Sequence, residues 1–213
     1  RQVLSRQAPV ANDGEHYPLP FAGEGSWGLG KPLKSINHPL RPDLPIFLGA
    51  EGPKNVAMTA EIADGWLPLY YSPYRQEVYA DQIKDAKPGF EIMQGITVII
   101  NDDVEKALIP LKHSLALYIG GMGAKSRNFH NELVKRMGFE AEAEKIQDLY
   151  LAGKKDQAAA AVPTALADEI SLVGSVDRIK DRLQAWRETP VNSLLVSTRN
   201  LSQLRTFAEL VLG

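Results

Sequence analysis

The stretch Pro45 to Pro73 reads P-I-F-L-G-A-E-G-P-K-N-V-A-M-T-A-E-I-A-D-G-W-L-P-L-Y-Y-S-P and carries the pattern strand, turn, helix, strand. Ile46, Phe47 and Leu48 form a short apolar run of strand formers. Gly49-Ala50-Glu51-Gly52-Pro53 then turns the chain into a helix with proline at its first position, where a missing N–H costs nothing. Val56, Ala57, Ala60 and Ala63 recur at roughly helical spacing and give that helix one small apolar face. Asp64-Gly65 stops it, and Trp66 to Tyr71 reads as a second buried strand. A βαβ unit of this kind predicts two parallel strands with a right-handed crossover, hence an α/β sheet or barrel.

The turn has two readings. Small residues after a strand let the backbone approach a ligand, and the next helix N-terminus offers unpaired N–H groups to an anion such as phosphate, with Lys54 adding positive charge. An ordinary strand-to-helix turn has the same composition, and G-x-x-G-P-K is neither a Walker loop nor a G-x-G-x-x-G fingerprint.

Outward from this unit, Phe90 to Ile100 predicts the clearest strand, a β-branched run of the type buried on both faces of a parallel sheet. Ser72-Pro73 is expected to open a helix reaching about Lys84, and Asn101-Asp102-Asp103 to cap the helix carrying Val104, Ala107, Leu108 and Leu111. Gly120-Gly121-Met122-Gly123 predicts a hinge. Further helices are expected over 125–137, 139–151 and 154–162, with another from Pro163, so that residues 120 to 170 form a helical insertion. Ser171 to Gly174 is a short extended piece, and Ser175 caps a helix striped by Ile179, Leu183 and Trp186. Asn192 to Thr198 is the last strand and Leu201 to Leu212 the closing helix. Four principal strands are thus expected, near 45, 66, 92 and 193.

Upstream, Arg1 to Gln7 reads as the tail of a helix. Residues 8–44, rich in proline and glycine, cannot be a continuous helix or central strand. His16 to Pro20 suits an extended edge or short hairpin, and Trp27 is an aromatic to bury. This segment reads either as a functional excursion or as a surface loop pinned by Trp27.

At 213 residues, 44% hydrophobic and 23% charged, the chain can build one sizeable core, and a net charge of −2 gives no reason to expect nucleic acid or an anionic membrane as partner. Without cysteine, disulfides, thiolate catalysis and Cys-ligated metals are excluded. The same lack of cysteine fits a reducing cytoplasm; no run approaches a membrane span, and the first fifteen residues lack the apolar core of a signal peptide. His16, His38, His113 and His130 show no metal-ligand spacing, so no metal is expected. Asn128 and His130 follow the glycine hinge and read as helix surface, with a pocket-facing position as the alternative, and Glu140, Glu142 and Glu144 read as a solvated face.

The run L-G-A-E-G-P-K-N-V-A-x-x-A-E-I-A-D-G-W-L-P closely resembles the luciferase-like monooxygenase superfamily, in its branch of oxidoreductases that use the deazaflavin coenzyme F420. Gly30 to Ser35, Leu115 to Ala124, Ile146 to Lys154 and Val173 to Asp177 resemble the same branch, so the likeness spans most of the chain. It implies a TIM (β/α)8 barrel of the bacterial luciferase type, of which 1–213 would be one incomplete domain, the C-terminal part from about the fourth helix. Half a barrel leaves two open edges and a one-sided core.

The resemblance further implies a small organic substrate, hydride transfer with F420 (FMN being the alternative cofactor), residues 8–44 as a lid, and a homodimer. The turn residues Gly49, Ala50, Glu51, Gly52, Pro53 and Lys54 become the expected coenzyme phosphate site. Tyr70, Tyr71, Thr198 and Arg199, at the strands' C-terminal ends where barrel chemistry sits, are the expected substrate-lining set. Of Tyr70 and Tyr71 only one can face inward, because strand side chains alternate. No catalytic residue is assigned, since the family's ring-holding and acid–base residues lie on earlier strands. The other class of reading is a non-catalytic assembly module that pairs its open edges.

Overall fold

The computed structural model describes residues 1–198 and 200–213. They divide into two compact units, 1–46 and 47–213.

The first unit is built on turns. A single helical turn, α1 (Gln2–Ser5), ends on Arg6 in the left-handed region, and the Arg6 guanidinium donates to the carbonyls of Ser35 and Asn37. Antiparallel bridges join Val10 to Leu33 and Asn12 to Leu19, the second closing a hairpin-like turn around His16 to Pro18. Trp27 is not buried as expected: it is 94% exposed. Its near neighbours Gly25, Gly28 and Gly30 take positive φ and bring no side chains to cover it.

The second unit is a parallel sheet with helices. Strand β1 (Phe47–Leu48), helix α2 (Pro53–Ile62) and strand β2 (Gly65–Trp66) form the expected βαβ, with Phe47 paired to Gly65 and Leu48 to Trp66. Pro53 stands at the start of α2. Gly65 is required because the Phe47 ring lies where a Cβ would be. Strand β2 stops well short of the expected Tyr71; Leu67 still donates to the Leu48 carbonyl, but Pro68 has no N–H with which to continue. Helix α3 (Glu77–Ile83) begins later than Ser72, whose hydroxyl instead accepts from the Tyr74 amide and donates to Glu169.

Strand β3 (Glu91–Ile100) is the spine. It pairs in parallel with β2 at its start, with β5 (Ser193–Ser197) along its middle and with β4 (Ser171–Gly174) at its end. Thr97 has partners in both β4 and β5, which therefore flank β3 on opposite edges. The extended piece 171–174 is thus a fifth strand, and among the described residues the strands form an open path rather than a closed barrel. Burial along β3 alternates rather than covering both faces: Ile92, Gln94, Ile96 and Val98 are buried, while Gly95 is exposed. Parallel partners share a face, so Met93, Gly95 and Thr97 stand beside Ser193, Leu195 and Ser197 on the open side. Helices pack against the other side, where Ile92, Ile96 and Val98 join the core.

That cover is α4 (Val104–Gly121), α5 (Phe129–Arg136), α6 (Glu140–Leu151), α7 (Lys155–Ala161), α8 (Thr164–Glu169), α9 (Val176–Arg187) and α10 (Leu201–Leu212). Asp103, Asn128, Ser175 and Asn200 cap α4, α5, α9 and α10 through side-chain oxygens. The predicted hinge is shifted: Gly120 and Gly121 complete α4, and the break falls at Met122-Gly123. These two helical positions have no room for a side chain, because Tyr150 of α6 packs directly on them. Two partly buried ion-pair groups fix α8. Asp168 takes Arg178 at 2.8 Å and Arg182 at 3.0 Å, and Glu169 takes Arg75 at 2.7 Å.

Candidate functional site

A cavity of about 330 Å³ opens beside the turn between β1 and α2, lined by Gly49, Ala50, Glu51, Gly52, Asn55, Leu67, Leu69, Phe129 and His130. It lies at the C-terminal end of a parallel strand, where open α/β sheets place ligands. The turn is held from behind. Trp66 Nε1 donates to the Ala50 carbonyl at 2.8 Å, and Arg136 of α5 donates to the Glu51 carbonyl at 3.0 Å.

In a trans peptide the C=O and the following N–H point in opposite directions. Engaging those two carbonyls therefore aims the amides of Glu51 and Gly52 the other way. Helix α2 has no side-chain cap; its first turn closes from the Val56 amide to the Gly52 carbonyl, and Pro53 has no N–H. Among the described residues no hydrogen bond engages the amides of Glu51, Gly52, Lys54 or Asn55. The result is a nest of free donors at the positive end of a helix, a donor set suited to phosphate or carboxylate. Nothing crowds it: the nearest atom to a Cβ built on Gly49 is 3.9 Å away, and on Gly52 4.0 Å away.

Of the expected coenzyme residues, the structure therefore places Gly49, Ala50, Glu51 and Gly52 on the cavity. Pro53 and Lys54 are exposed and do not line it. The expected substrate-lining residues are not brought together. Tyr70 packs edge-on to Tyr118 and to His130, behind the cavity wall. Burial pushes its phenol well above the usual range, and the neighbouring Tyr118 and Glu51 add to the rise, so it stays a neutral O–H group. Tyr71 is fully buried in the core against Trp66, Tyr79 and Trp186. Burial, with Glu77 second, raises its phenol to about 12. Thr198 lines a different cavity, of about 390 Å³, with Thr97, Ser114, Ser197 and Gln203. Arg199 lies outside the described residues.

His130 corrects the expectation of a surface position. Its side chain is 18% exposed, and its Nδ1 lies 2.6 Å from Oε2 of Glu51, itself 11% exposed. The two are close enough to pair electrostatically, yet not aligned as a hydrogen bond: Nδ1 and both carboxylate oxygens are buried without a hydrogen-bond partner. The Tyr118 ring stands edge-on to the imidazole at 5.0 Å. A signal for this was present, since 130, 133, 134 and 137 form one helical stripe and its other three members are buried. Asn128 is also buried, donating to the Tyr118 and Ile119 carbonyls while capping α5. Asn55, Leu67, Leu69 and Phe129 join the cavity without any local sign in the sequence. Among the described residues no group of three or more His, Asp or Glu could hold a metal, and no helix is long and apolar enough to cross a membrane.

The chain matches the family model described as luciferase-like monooxygenase over residues 1–193. It is 44% identical to a Mycobacterium tuberculosis protein provisionally named coenzyme F420-dependent oxidoreductase, over 99% of this chain and 63% of that protein. Among solved structures it resembles the coenzyme F420 dependent tetrahydromethanopterin reductase from Methanopyrus kandleri. That match has a TM-score of 0.69 at 21% identity, covering 99% of this chain and 58% of that one. An F420-dependent secondary alcohol dehydrogenase in complex with an F420-acetone adduct matches with a TM-score of 0.58 at 14% identity, over 98% and 57% of the two chains. At such identities the structural matches speak for the fold. The chain spans somewhat under two thirds of the length of these relatives.

Proposed function

This chain belongs to the luciferase-like monooxygenase family, and from that premise we propose that it is part of an oxidoreductase that exchanges hydride between coenzyme F420 and a small organic substrate. The observation that carries the reading is the set of free amides at Glu51, Gly52, Lys54 and Asn55 beside the cavity, the first two turned away from Trp66 and Arg136 by the bonds those residues make. It fits the phosphate-bearing side chain of the coenzyme, and the 44% identical relative is named for that coenzyme.

In this reading Gly49, Ala50 and Gly52 let the backbone close on the phosphate, and the amides donate to its oxygens without any side-chain charge having to be ordered. Asn55 and Phe129 flank the group. When bound, the coenzyme supplies hydride exchange at its C5; the protein orients it and excludes water. Residues that would face the ring and the substrate are not assigned to this chain. A cytoplasmic location and a homodimer belong to the same proposal.

The test is a fluorescence titration of the purified protein with F420 and, separately, with FMN. Micromolar binding of F420 that weakens about tenfold in Gly52→Ala, with the fold intact by circular dichroism, supports the reading. Tighter binding of FMN replaces the coenzyme by the flavin. Binding of neither favours a module without catalysis.

A further inference from the structure

Glu51 sits awkwardly in an anion site. Glu51 lines the same cavity as the free amides, and the negative charge its side chain holds just behind that wall opposes a bound phosphate. The opposition is strong here because both carboxylate oxygens are shielded from water.

The groups around it leave one candidate for compensation. Arg136 keeps its charge but is held on the Glu51 main-chain carbonyl and beside Tyr79, with no ion pair to the carboxylate. Lys54 is exposed and absent from the cavity wall. Tyr70, Tyr79 and Tyr118 bring phenols to this region, neutral groups that supply no positive charge. His130 alone, among the described residues, brings a group that can be cationic against the carboxylate, with Nδ1 at 2.6 Å.

Building on the phosphate reading, we infer that His130 is the counter-charge that lets the Gly49–Asn55 turn accept an anion, acting through Glu51 as a positioning residue. A helix of the inserted segment, not the βαβ unit, then sets how well the turn binds phosphate. With the imidazole protonated the pair is neutral and the amides act unopposed. Without a cation on that side the carboxylate charge stands against the ligand.

The test uses inorganic sulfate, followed through the amide NMR shifts of Glu51, Gly52, Lys54 and Asn55. His130→Gln is expected to weaken sulfate binding roughly tenfold. The double variant Glu51→Gln with His130→Gln is expected to return to within about twofold of the parent, because the opposing charge is gone. A merely structural histidine would not be rescued this way. Unchanged affinity in His130→Gln, a double variant as weak as the single one, or no response of the parent amides to sulfate overturns the inference.

A parallel titration with F420 and its phosphate-free deazaflavin core separates the two claims. If the variants behave as expected but F420 binds no more tightly than the core, the coenzyme reading falls and the role of His130 stands. If F420 shows the preference and the variants do not respond, the reverse holds.

Discussion

Two pairs of glycines in this chain look alike in sequence and do opposite work. At Gly49 and Gly52 a Cβ would meet nothing nearer than 3.9 Å and 4.0 Å, and the space left over is the cavity. At Gly120 and Gly121 the space is already taken: the Cβ of Tyr150 lies 2.5 Å from where a Cβ on Gly120 would be. One pair is small so that something outside the chain can approach. The other is small so that α4 and α6 can. What separates a binding glycine from a packing glycine is the occupant of the missing side chain's place, and only the tertiary structure shows that.

The contrast breaks most visibly on the filled side. Gly120→Ala forces the Tyr150 ring or the Ile146 carbonyl to move and is expected to cost about 1–3 kcal/mol by urea denaturation. Combining it with Tyr150→Ala should cost less than the two changes summed, since the clash is with that side chain. Next in size is Trp66→Phe. It leaves the Ala50 carbonyl without its donor for about 1–2 kcal/mol, and it should loosen F420 binding as well, because that bond helps aim the Glu51 amide.

On the open side Gly52→Ala is expected to change stability by no more than about 0.5 kcal/mol, its φ of −67° suiting any residue. Its added methyl should still weaken the ligand. A loss of stability at Gly52 as large as that at Gly120 would erase the distinction. The smallest effect appears only at high pH. Tyr71 holds its proton up to about 12 when folded, against 10.0 for an unperturbed phenol. Between those values the unfolded chain binds fewer protons, so stability falls as pH rises from about 10 to about 12. Tyr71→Phe should make that decline shallower in denaturation curves taken across the window.

Local pattern made the βαβ unit and β3 readable: Pro53 at the helix start, the β-branched run to Ile100, and the caps at Asp103 and Ser175 all stand where the chain implied. Strand β2 was overread because an apolar run says nothing of the ladder that Pro68 ends. The fifth strand was underread because four residues become a strand only when β3 offers an edge. The open face of β3 could not be told from a covered one, since isoleucine and valine alternate with Met93, Gly95 and Thr97 too mildly to mark it.

At the site, the turn was legible because small residues between a strand and a helix have a physical consequence wherever they occur. The partner across the cavity was not, because Glu51 and His130 are joined only by the docking of α5 on the turn. The alternation expected to split Tyr70 and Tyr71 does not apply, because neither lies in a strand; both are buried and neither reaches the cavity.

The most direct measurement is the ¹H–¹⁵N spectrum of the protein titrated with F420. The account predicts that the amides of Glu51, Gly52, Lys54 and Asn55 shift together and saturate with the fluorescence change, while those of Gly120 and Gly121 stay in place. Saturable F420 binding that leaves the four turn amides unmoved would contradict it.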